Sequence, residues 1–439
     1  MNKESLPIII GSAQCKQPKE TPEPLDPLSL IEKATELAIK DVGAPEIKKE
    51  IDAVFMVNIN SWSYEDAPAE LSTKIGINPV QKVYLPDGGD TPQMLVNRAA
   101  RMIRSGQRKV VLITGGEAKY SLNKAKKGKI KLNWPQQKEP EYIEGELYNG
   151  TSEFENRYGL PIPSYSYAFF ETALRAESNH NLEEHQLYTG KIFEKYSKVA
   201  AENPHAWDQR AYTAEEIATP SSENRKVLHP YTKRMCANMF VDLSASIIIT
   251  SQTVAEELEI NQSKWIYHLG GADFKNIFEL TRRPKLTTSP AARAGVKIAL
   301  ERAGLELDEI DAFDIYSCFP SIVQIITREI GLMGDDPRDI TTTGGLAYFG
   351  GPWSNYSLHG IVSAVKQIQQ NPKLKIMVIA NGGYNSKQSF GIYSGMTNKK
   401  SQQNLDATEI QEKILKRALP EPQKEANGVI TIEAYTIPY

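Results

Sequence analysis

Runs that are apolar at every position alternate along the chain with stretches whose apolar residues recur every three or four positions. That order predicts buried strands separated by amphipathic helices. PIIIGSAQ (7–14) reads as a buried strand. After a Pro-rich loop from Pro18 to Pro27, a helix is expected from about Pro27 to Lys40, with Leu28, Ile31, Ala34, Leu37 and Ala38 on one face and Gly43 as its stop. Ile51-Asp-Ala-Val-Phe-Met-Val starts the next strand. Residues 84–118 then carry strand, turn, helix and strand in one segment. Apolar Val83 and Leu85 lead into a Pro/Asp/Gly/Gly turn, a start at Thr91-Pro92, an amphipathic run to Ile103 and a stop at Gly106. Lys109-Val-Val-Leu-Ile follows and runs into Gly115-Gly116; its continuous apolar character suits a parallel strand covered on both faces.

Two of these landmarks recur in the same order. A helix AGVKIALERAG ends at Gly304 and is followed by Ile310-Asp-Ala-Phe-Asp-Ile-Tyr, and Lys375-Ile-Met-Val-Ile runs into Gly382-Gly383. The repetition predicts a duplicated βαβαβ half, each half built on a mostly parallel sheet. Residues 119–235 break the pattern with Trp134, Trp207, many Tyr and no sustained strand signal, and read as an inserted loop and helix region covering a site. DLSASIIITSQTVAEEL (242–258) returns to a buried strand and helix. The expected division is 1–118 with 236–270 as the first half, 119–235 as the insertion, 271–397 as the second half, and 398–439 as linker, helix and one strand, GVITIEAYTI. A lone strand must dock on the body, pair with another chain, or open a further domain.

Composition changes the picture little. The 439 residues, 40% hydrophobic and 24% charged with net charge −3, suit a globular protein without general attraction for nucleic acid or anionic membrane. The one basic run, Lys124 to Lys131, reads as a solvated loop or as a contact for phosphates. Cys15, Cys236 and Cys318 lie far apart, which fits neither a disulfide framework nor paired metal ligands, so a reducing compartment and no metal are expected. The apolar run LPIII near the N-terminus is too short for a signal segment, and no run approaches a membrane span; a cytoplasmic protein is expected.

The turn before Thr91 delivers a strand end onto a helix N-terminus, where an α/β enzyme tends to place a nucleophile. This sequence has Gly88, Gly89 and Asp90 there. The segment resembles the thiolase superfamily, in which the same turn bears the acyl-accepting Cys; counting back from Gly106 and Gly115-Gly116-Glu117 puts that Cys at Gly89. The closest likeness is to the sterol-carrier-protein-type thiolases and the thiolase-like proteins named acetyl-CoA acetyltransferase. Their His-Asp-Cys-Phe falls on Tyr316-Ser317-Cys318-Phe319, the Gly-His-Pro on Gly350-Gly351-Pro352, and the Cys-x-Gly-Gly on Ala380-Asn381-Gly382-Gly383. The resemblance implies an α/β fold, the duplicated five-layered αβαβα thiolase fold with an inserted loop region and a short C-terminal extension. It also implies an acyl-CoA ligand with coenzyme A as the substrate moiety, no separate cofactor, and a homodimer or a partner subunit.

Three functions follow as expectations: an acyltransferase by descent, an aldol-type carbon–carbon lyase on β-hydroxyacyl-CoA, and a non-catalytic acyl-CoA-binding partner subunit. Tyr316, Cys318 and His359 are the candidate catalytic residues, with Tyr348 as a possible second tyrosine. Gly88, Gly89, Gly351, Asn381 and Gly382 are the candidate substrate-binding positions. Each has a plainer alternative: a left-handed turn for Gly88-Gly89, a strand aromatic for Tyr316, a buried hydrophobe for Cys318, a surface or cap role for His359, and a turn role for Asn381.

Overall fold

The computed structural model describes residues 6–145, 151–160, 162–332, 334, 336–400 and 405–439. The first run is β1 (Pro7–Lys16), α1 (Pro27–Val42), the one-turn α2 (Ile47–Glu50), β2 (Ile51–Val57), α3 (Ala67–Ile75), β3 (Gln81–Leu85), α4 (Thr91–Arg104) and β4 (Val110–Ala118). α5 (Lys119–Lys126), α6 (Glu153–Arg157), α7 (Pro163–Ser178), α8 (Leu182–Glu202), α9 (Ala214–Ala218) and a hairpin of β5 (Lys226–Leu228) with β6 (Tyr231–Thr232) fill the inserted stretch. Then come β7 (Asp242–Ser251), α10 (Gln252–Glu257), β8 (Ile266–Lys275), α11 (Pro290–Ala303), β9 (Ala312–Ile315), α12 (Pro320–Ile330), α13 (Tyr356–Gln370), β10 (Lys375–Gly382), β11 (Lys387–Ser394) and α14 (Thr408–Leu415).

Nine strands hydrogen-bond in the order β3-β2-β4-β7-β1-β8-β11-β10-β9. β1 and β8 meet through Ile8↔Tyr267 and Ile9↔Ile266, so the array reads as two sheets joined edge to edge. The expected duplication is visible in it: IDAV lies on β2 and IDAF leads into β9, and each runs parallel to the Gly-Gly strand, β4 or β10. The expectation of mostly parallel sheets is corrected. β7 pairs antiparallel with both β4 and β1, and β11 pairs antiparallel with both β10 and β8, so each half is mixed.

The continuous apolar runs explain the layering. In β4, Val111 and Ile113 face a central core shared with α4 and α13, while Val110 and Leu112 face an outer core under α1 and α3. In β10, Ile376 and Val378 face the central core, and Met377 and Ile379 face a third core under α11, α12 and the inserted helices. Helix, sheet, helix pair, sheet and helix make the five-layered αβαβα arrangement. α1 is set by its Asp26 cap, which accepts from Leu28 N (3.0 Å), and by Gly43 at φ +79°. Its buried stripe is Leu28, Leu30, Ile31, Ala34, Ala38, Ile39 and Val42; Leu37, expected on that stripe, is 41% exposed.

The outer edge of β3 is covered from the inserted region, where Glu144 N donates to Tyr84 O (2.8 Å) and the Glu144 carboxylate grips Arg98 (2.5 and 3.3 Å). The tail departs from expectation. GVITIEAYTI forms no strand, and Val429, Ile430 and Ile432 are exposed. Only its end touches the body: Ile437 O accepts from His229 N (2.8 Å), Pro438 bridges to Leu228, and the Tyr435 ring stacks on His229. The pairing with the edge of β5 stops at this single bridge, so the alternating run before it is left without a strand partner among the described residues. Of the linker expected at 398–406, residues 401–404 lie outside the described residues.

Candidate active site

α4 starts where the 86–90 turn brings the chain off β3. Pro92 in its first turn has a preset φ and no N–H to satisfy, and the stripe Leu95, Val96, Ala99, Ala100 and Ile103 draws the helix into the central core. The turn thereby passes beneath the carboxyl ends of β9 and β10, the edge at which parallel strands present ligand sites. Gly88 and Gly89 both lack a positive φ, so the left-handed-turn reading of the pair is corrected. They are glycines because other atoms come too close. A Cβ built on Gly89 would lie 2.7 Å from Tyr316 Cζ, and nearer still to Tyr316 Oη and to the Asn381 carbonyl oxygen. One built on Gly88 would lie 2.6 Å from Thr91 Oγ1 and 2.9 Å from Lys387 Nζ. The Tyr316 hydroxyl therefore fills the space into which a side chain at position 89 would project.

Tyr316 is the first residue after β9, and its N–H donates to Ile379 O (3.0 Å), which holds it against β10. Its ring meets Tyr356 edge-on at 5.4 Å. Burial, and then the neighbouring Cys318 and Asp90, push its pKa well above the usual phenol range, so at neutral pH it is a hydrogen-bond donor. Cys318 lies two residues further on, also beyond the end of β9. Burial pushes its thiol up to about 12, and the Tyr167 hydroxyl donates to its sulfur. A thiol so placed is not a nucleophile at neutral pH.

Tyr167 comes from α7 of the inserted region. Its hydroxyl accepts from Asn381 Nδ2 (3.3 Å), and its ring stacks on Phe319 (4.8 Å, 21° between planes). Asn381 sits on β10 with its amide oxygen taken by Gln388 Nε2 (3.0 Å), so its orientation is fixed. The Gly88 N–H is already given to Ser354 Oγ (3.0 Å), and the Gly89 carbonyl accepts from Ser357 Oγ (3.2 Å). Gly382 leaves room for the Asp90 carboxylate, which would collide with a Cβ there. That carboxylate, 3.6 Å from Lys387 Nζ, places negative charge at the start of α4 and weakens the case for a phosphate at this helix end.

The chain is 31% identical to a monomeric SCP2-thiolase-like protein type 1 from Mycobacterium smegmatis; the superposition covers 100% of this chain and 88% of that one, with a TM-score of 0.85. The chain belongs to the thiolase superfamily. No protein-family model matches it. The acetyl-CoA acetyltransferase of Methanocaldococcus jannaschii is 22% identical over 302 residues, 67% of this chain and 69% of that protein. The chain spans 62% of the length of chicken (Gallus gallus) sterol carrier protein 2, at 21% identity over 359 residues. The Ltp2-ChsH2(DUF35) aldolase shares the fold at 19% identity, with a TM-score of 0.68 over 89% of this chain and 98% of that one.

Against the thiolase pattern, the two other reacting positions look different from Gly89. A Cβ at Gly351 would meet Leu346 Cδ2 at 3.4 Å, Asn238 O at 3.6 Å and Ala237 Cβ at 3.7 Å, all ordinary contacts, so this buried position has room for a methyl group. Ala380 is fully buried within β10, paired with Ser389. His359 does not replace the imidazole absent at Gly351. It is fully buried in α13, which corrects the surface or cap reading; its Nδ1 pairs with Gln14 Oε1 (2.8 Å), and burial lowers its pKa to about 3. Tyr348 packs on Phe193 and Tyr212 on the side of Arg234 and Asp208, away from Tyr316. The basic run is largely exposed, with Lys124 tied to Glu20 (3.4 Å).

The structure thus brings Gly89, Tyr316, Cys318, Asn381 and Gly382 together and leaves His359 and Tyr348 outside. Sequence reasoning overlooked Tyr167, Asp90 and Lys387. Asp90 follows Gly89 directly and Lys387 follows the Gly382-Gly383 turn, so both lay within reach of the motifs. Tyr167 lies in the patternless insertion and carried no signal. Among the described residues no helix is long and apolar enough to cross a membrane.

Proposed function

We propose that this chain binds acyl-CoA thioesters and acts as an aldol-type carbon–carbon lyase on β-hydroxyacyl-CoA, with the Tyr316 phenol standing where a thiolase carries its thiol. The observation behind this reading is the overlap of Tyr316 Oη with the side-chain space of Gly89. Claisen chemistry passes an acyl group to a thiolate and on to an acceptor. With Gly89, Gly351 and Ala380 at the three reacting positions, no side chain there takes the acyl group, holds its oxygen or moves the α-proton. A lyase needs no acyl-enzyme. It needs a donor on the thioester oxygen as the Cα–Cβ bond breaks and enolate charge develops, and one such donor is worth about 2.7–4 kcal/mol. A buried, protonated Tyr316 suits that role.

The acetyl-CoA acetyltransferase relatives support the thioester half of the reading, and the Ltp2-ChsH2(DUF35) aldolase neighbour supports the reaction class. Coenzyme A is the substrate moiety, and no cofactor is invoked. Residues 119–235, which contribute Tyr167, act as the cover of the acyl site. Every side chain invoked comes from one chain, so the reading is the same for a monomer, a homodimer or a chain joined by a partner subunit.

The test is to incubate β-hydroxyacyl-CoAs with the protein and quantify acyl-CoA together with the aldehyde or ketone, then compare Tyr316→Phe with Cys318→Ala. The expected result is cleavage by the parent and a far larger loss in the tyrosine variant. Loss confined to the cysteine variant reverses the assignment. Absence of cleavage with acyl-CoA binding retained leaves a non-catalytic acyl-CoA-binding subunit.

A further inference from the structure

A retro-aldol step needs a base for the β-hydroxyl proton as well as a donor for the enolate oxygen. Tyr316 and the groups beside it do not supply one at rest. Tyr316, Tyr167 and Cys318 are all buried, and burial raises the pKa of each, so all three hold their protons at neutral pH. His359 and Tyr348 lie elsewhere, as described above.

Asp90 is the group left. It is the residue next to Gly89 and is 7% exposed, and its Oδ1 has no hydrogen-bond partner among the described residues. Such an atom is costly to bury in a folded protein unless something engages it. It does not serve the helix it begins, for Asp90 makes no side-chain capping bond to α4. Asp90 Oδ1 and Gly89 N converge on one point: a Cβ built on Gly382 would lie 3.0 Å from Gly89 N and would run into Asp90 Oδ1. Gly88 is a glycine partly for the same carboxylate, since a Cβ there would lie 2.7 Å from Oδ1. Three glycines, 88, 89 and 382, thus let the carboxylate, the turn and the Tyr316 phenol pack close together. Lys387 Nζ, at 3.6 Å, is its counter-ion and also donates to Asp87 O (3.3 Å), which keeps the ammonium beside the carboxylate. A second buried oxygen without a hydrogen-bond partner among the described residues, Ser386 Oγ, lies against Gly383, as does the Lys387 stem.

We infer that Asp90 is the catalytic base of this site, taking the β-hydroxyl proton of a β-hydroxyacyl thioester while Tyr316 donates to the thioester oxygen. The inference rests on the lyase reading above. The O–H bond breaks to Asp90 Oδ1, and the oxygen pair closes a carbonyl as the Cα–Cβ bond breaks. The pair released from that bond becomes the enolate held by Tyr316. The Asp90 carboxylic acid then returns the proton to the α-carbon, so that aldehyde or ketone and acyl-CoA leave and no other reactant is consumed. Run backwards, the last step removes an α-proton from the product acyl-CoA.

That reverse step gives a test that does not depend on cleavage. The full-length protein is incubated with acetyl-CoA in deuterium oxide, and deuterium entering the acetyl group is followed by mass spectrometry. The parent, Asp90→Asn and Asp90→Glu are compared, with thermal stabilisation by acetyl-CoA measured alongside. Because the carboxylate makes no capping bond, Asp90→Asn is expected to fold and to bind acetyl-CoA like the parent. The expected result is exchange by the parent, a loss of about 100-fold or more in Asp90→Asn, in the range of general-base contributions, and partial recovery in Asp90→Glu. Exchange by the parent without cleavage of any β-hydroxyacyl-CoA keeps Asp90 as the base and sinks the lyase reading. No exchange by the parent, or exchange by Asp90→Asn at the parent's rate, overturns the assignment of Asp90.

Discussion

The motif resemblance assigns glycine to two positions where thiolases carry reacting side chains, and the surroundings of the two glycines differ. At Gly89 a side chain has no room, because the Tyr316 phenol and the Asn381 carbonyl already occupy its place. At Gly351 the neighbours stand at 3.4 Å and beyond, and a Cβ would fit. Mere loss of function would leave both positions open. On the reading proposed above, a filled position beside one with room for a methyl group means that the nucleophile's place has been reassigned to Tyr316. Tyr316 comes from the second half of the chain and Gly89 from the first, so the reassignment crosses the boundary between the duplicated halves.

The largest expected effect of breaking this comparison is on catalysis. Tyr316→Phe keeps the ring that fills the Gly89 side and removes the donor, and should lower kcat for β-hydroxyacyl-CoA cleavage by about 10²–10³-fold with little change in KM. The next is on stability. Gly89→Ala forces a methyl group against Tyr316 and the β10 backbone and should destabilise the fold by about 1–3 kcal/mol, measured by denaturant unfolding. In a Tyr316→Ala background the same substitution should cost markedly less, because the two sites touch and their effects are not additive.

How far the sequence revealed this contrast depends on which kind of signal each residue carried. The five layers were legible because β4 and β10 are apolar on both faces and because IDAV and IDAF recur before the two Gly-Gly strands. The mixed strand directions were not, since an apolar run reads alike whichever way its neighbour points. At the site, spacing singled out Gly89, Tyr316, Asn381 and Gly382, which the fold brings to one spot. It did not reveal why Gly88 and Gly89 are glycines, because close approach and positive φ leave the same residue in a sequence. Nor did it separate His359, buried against Gln14, from an imidazole at a helix start. The tail failed for the opposite reason: its alternation was real, and only its end met a strand edge, at Leu228 of β5.

Two smaller effects sharpen the open side of the comparison. His359 is a buried imidazole on α13, with a pKa lowered to about 3. Its ordinary value is 6.5, so the unfolded chain binds a proton that the folded one refuses, and stability is lost as pH falls from about 6.5 towards about 3. The slope should approach about 1.4 kcal/mol per pH unit in that window and should flatten in His359→Gln, read from chemical unfolding at several pH values. Gly351→Ala, which meets only ordinary contacts, should shift stability by no more than about 0.5 kcal/mol. A large loss at Gly351 would show that the position is not open, and the contrast with Gly89 would fall.

The most direct measurement sets the two chemistries against each other in one assay. Acetyl-CoA formation is followed from a β-hydroxyacyl-CoA alone and from acetoacetyl-CoA with free CoA, and the intact protein is weighed by mass spectrometry after each incubation. With the Tyr316 phenol in the thiol's place, the expected result is acetyl-CoA from the hydroxy substrate only, with no acyl group retained on the protein. Acetyl-CoA from acetoacetyl-CoA and CoA at about 1 s⁻¹ or faster, within the ordinary enzyme range, accompanied by an acylated chain, would contradict it.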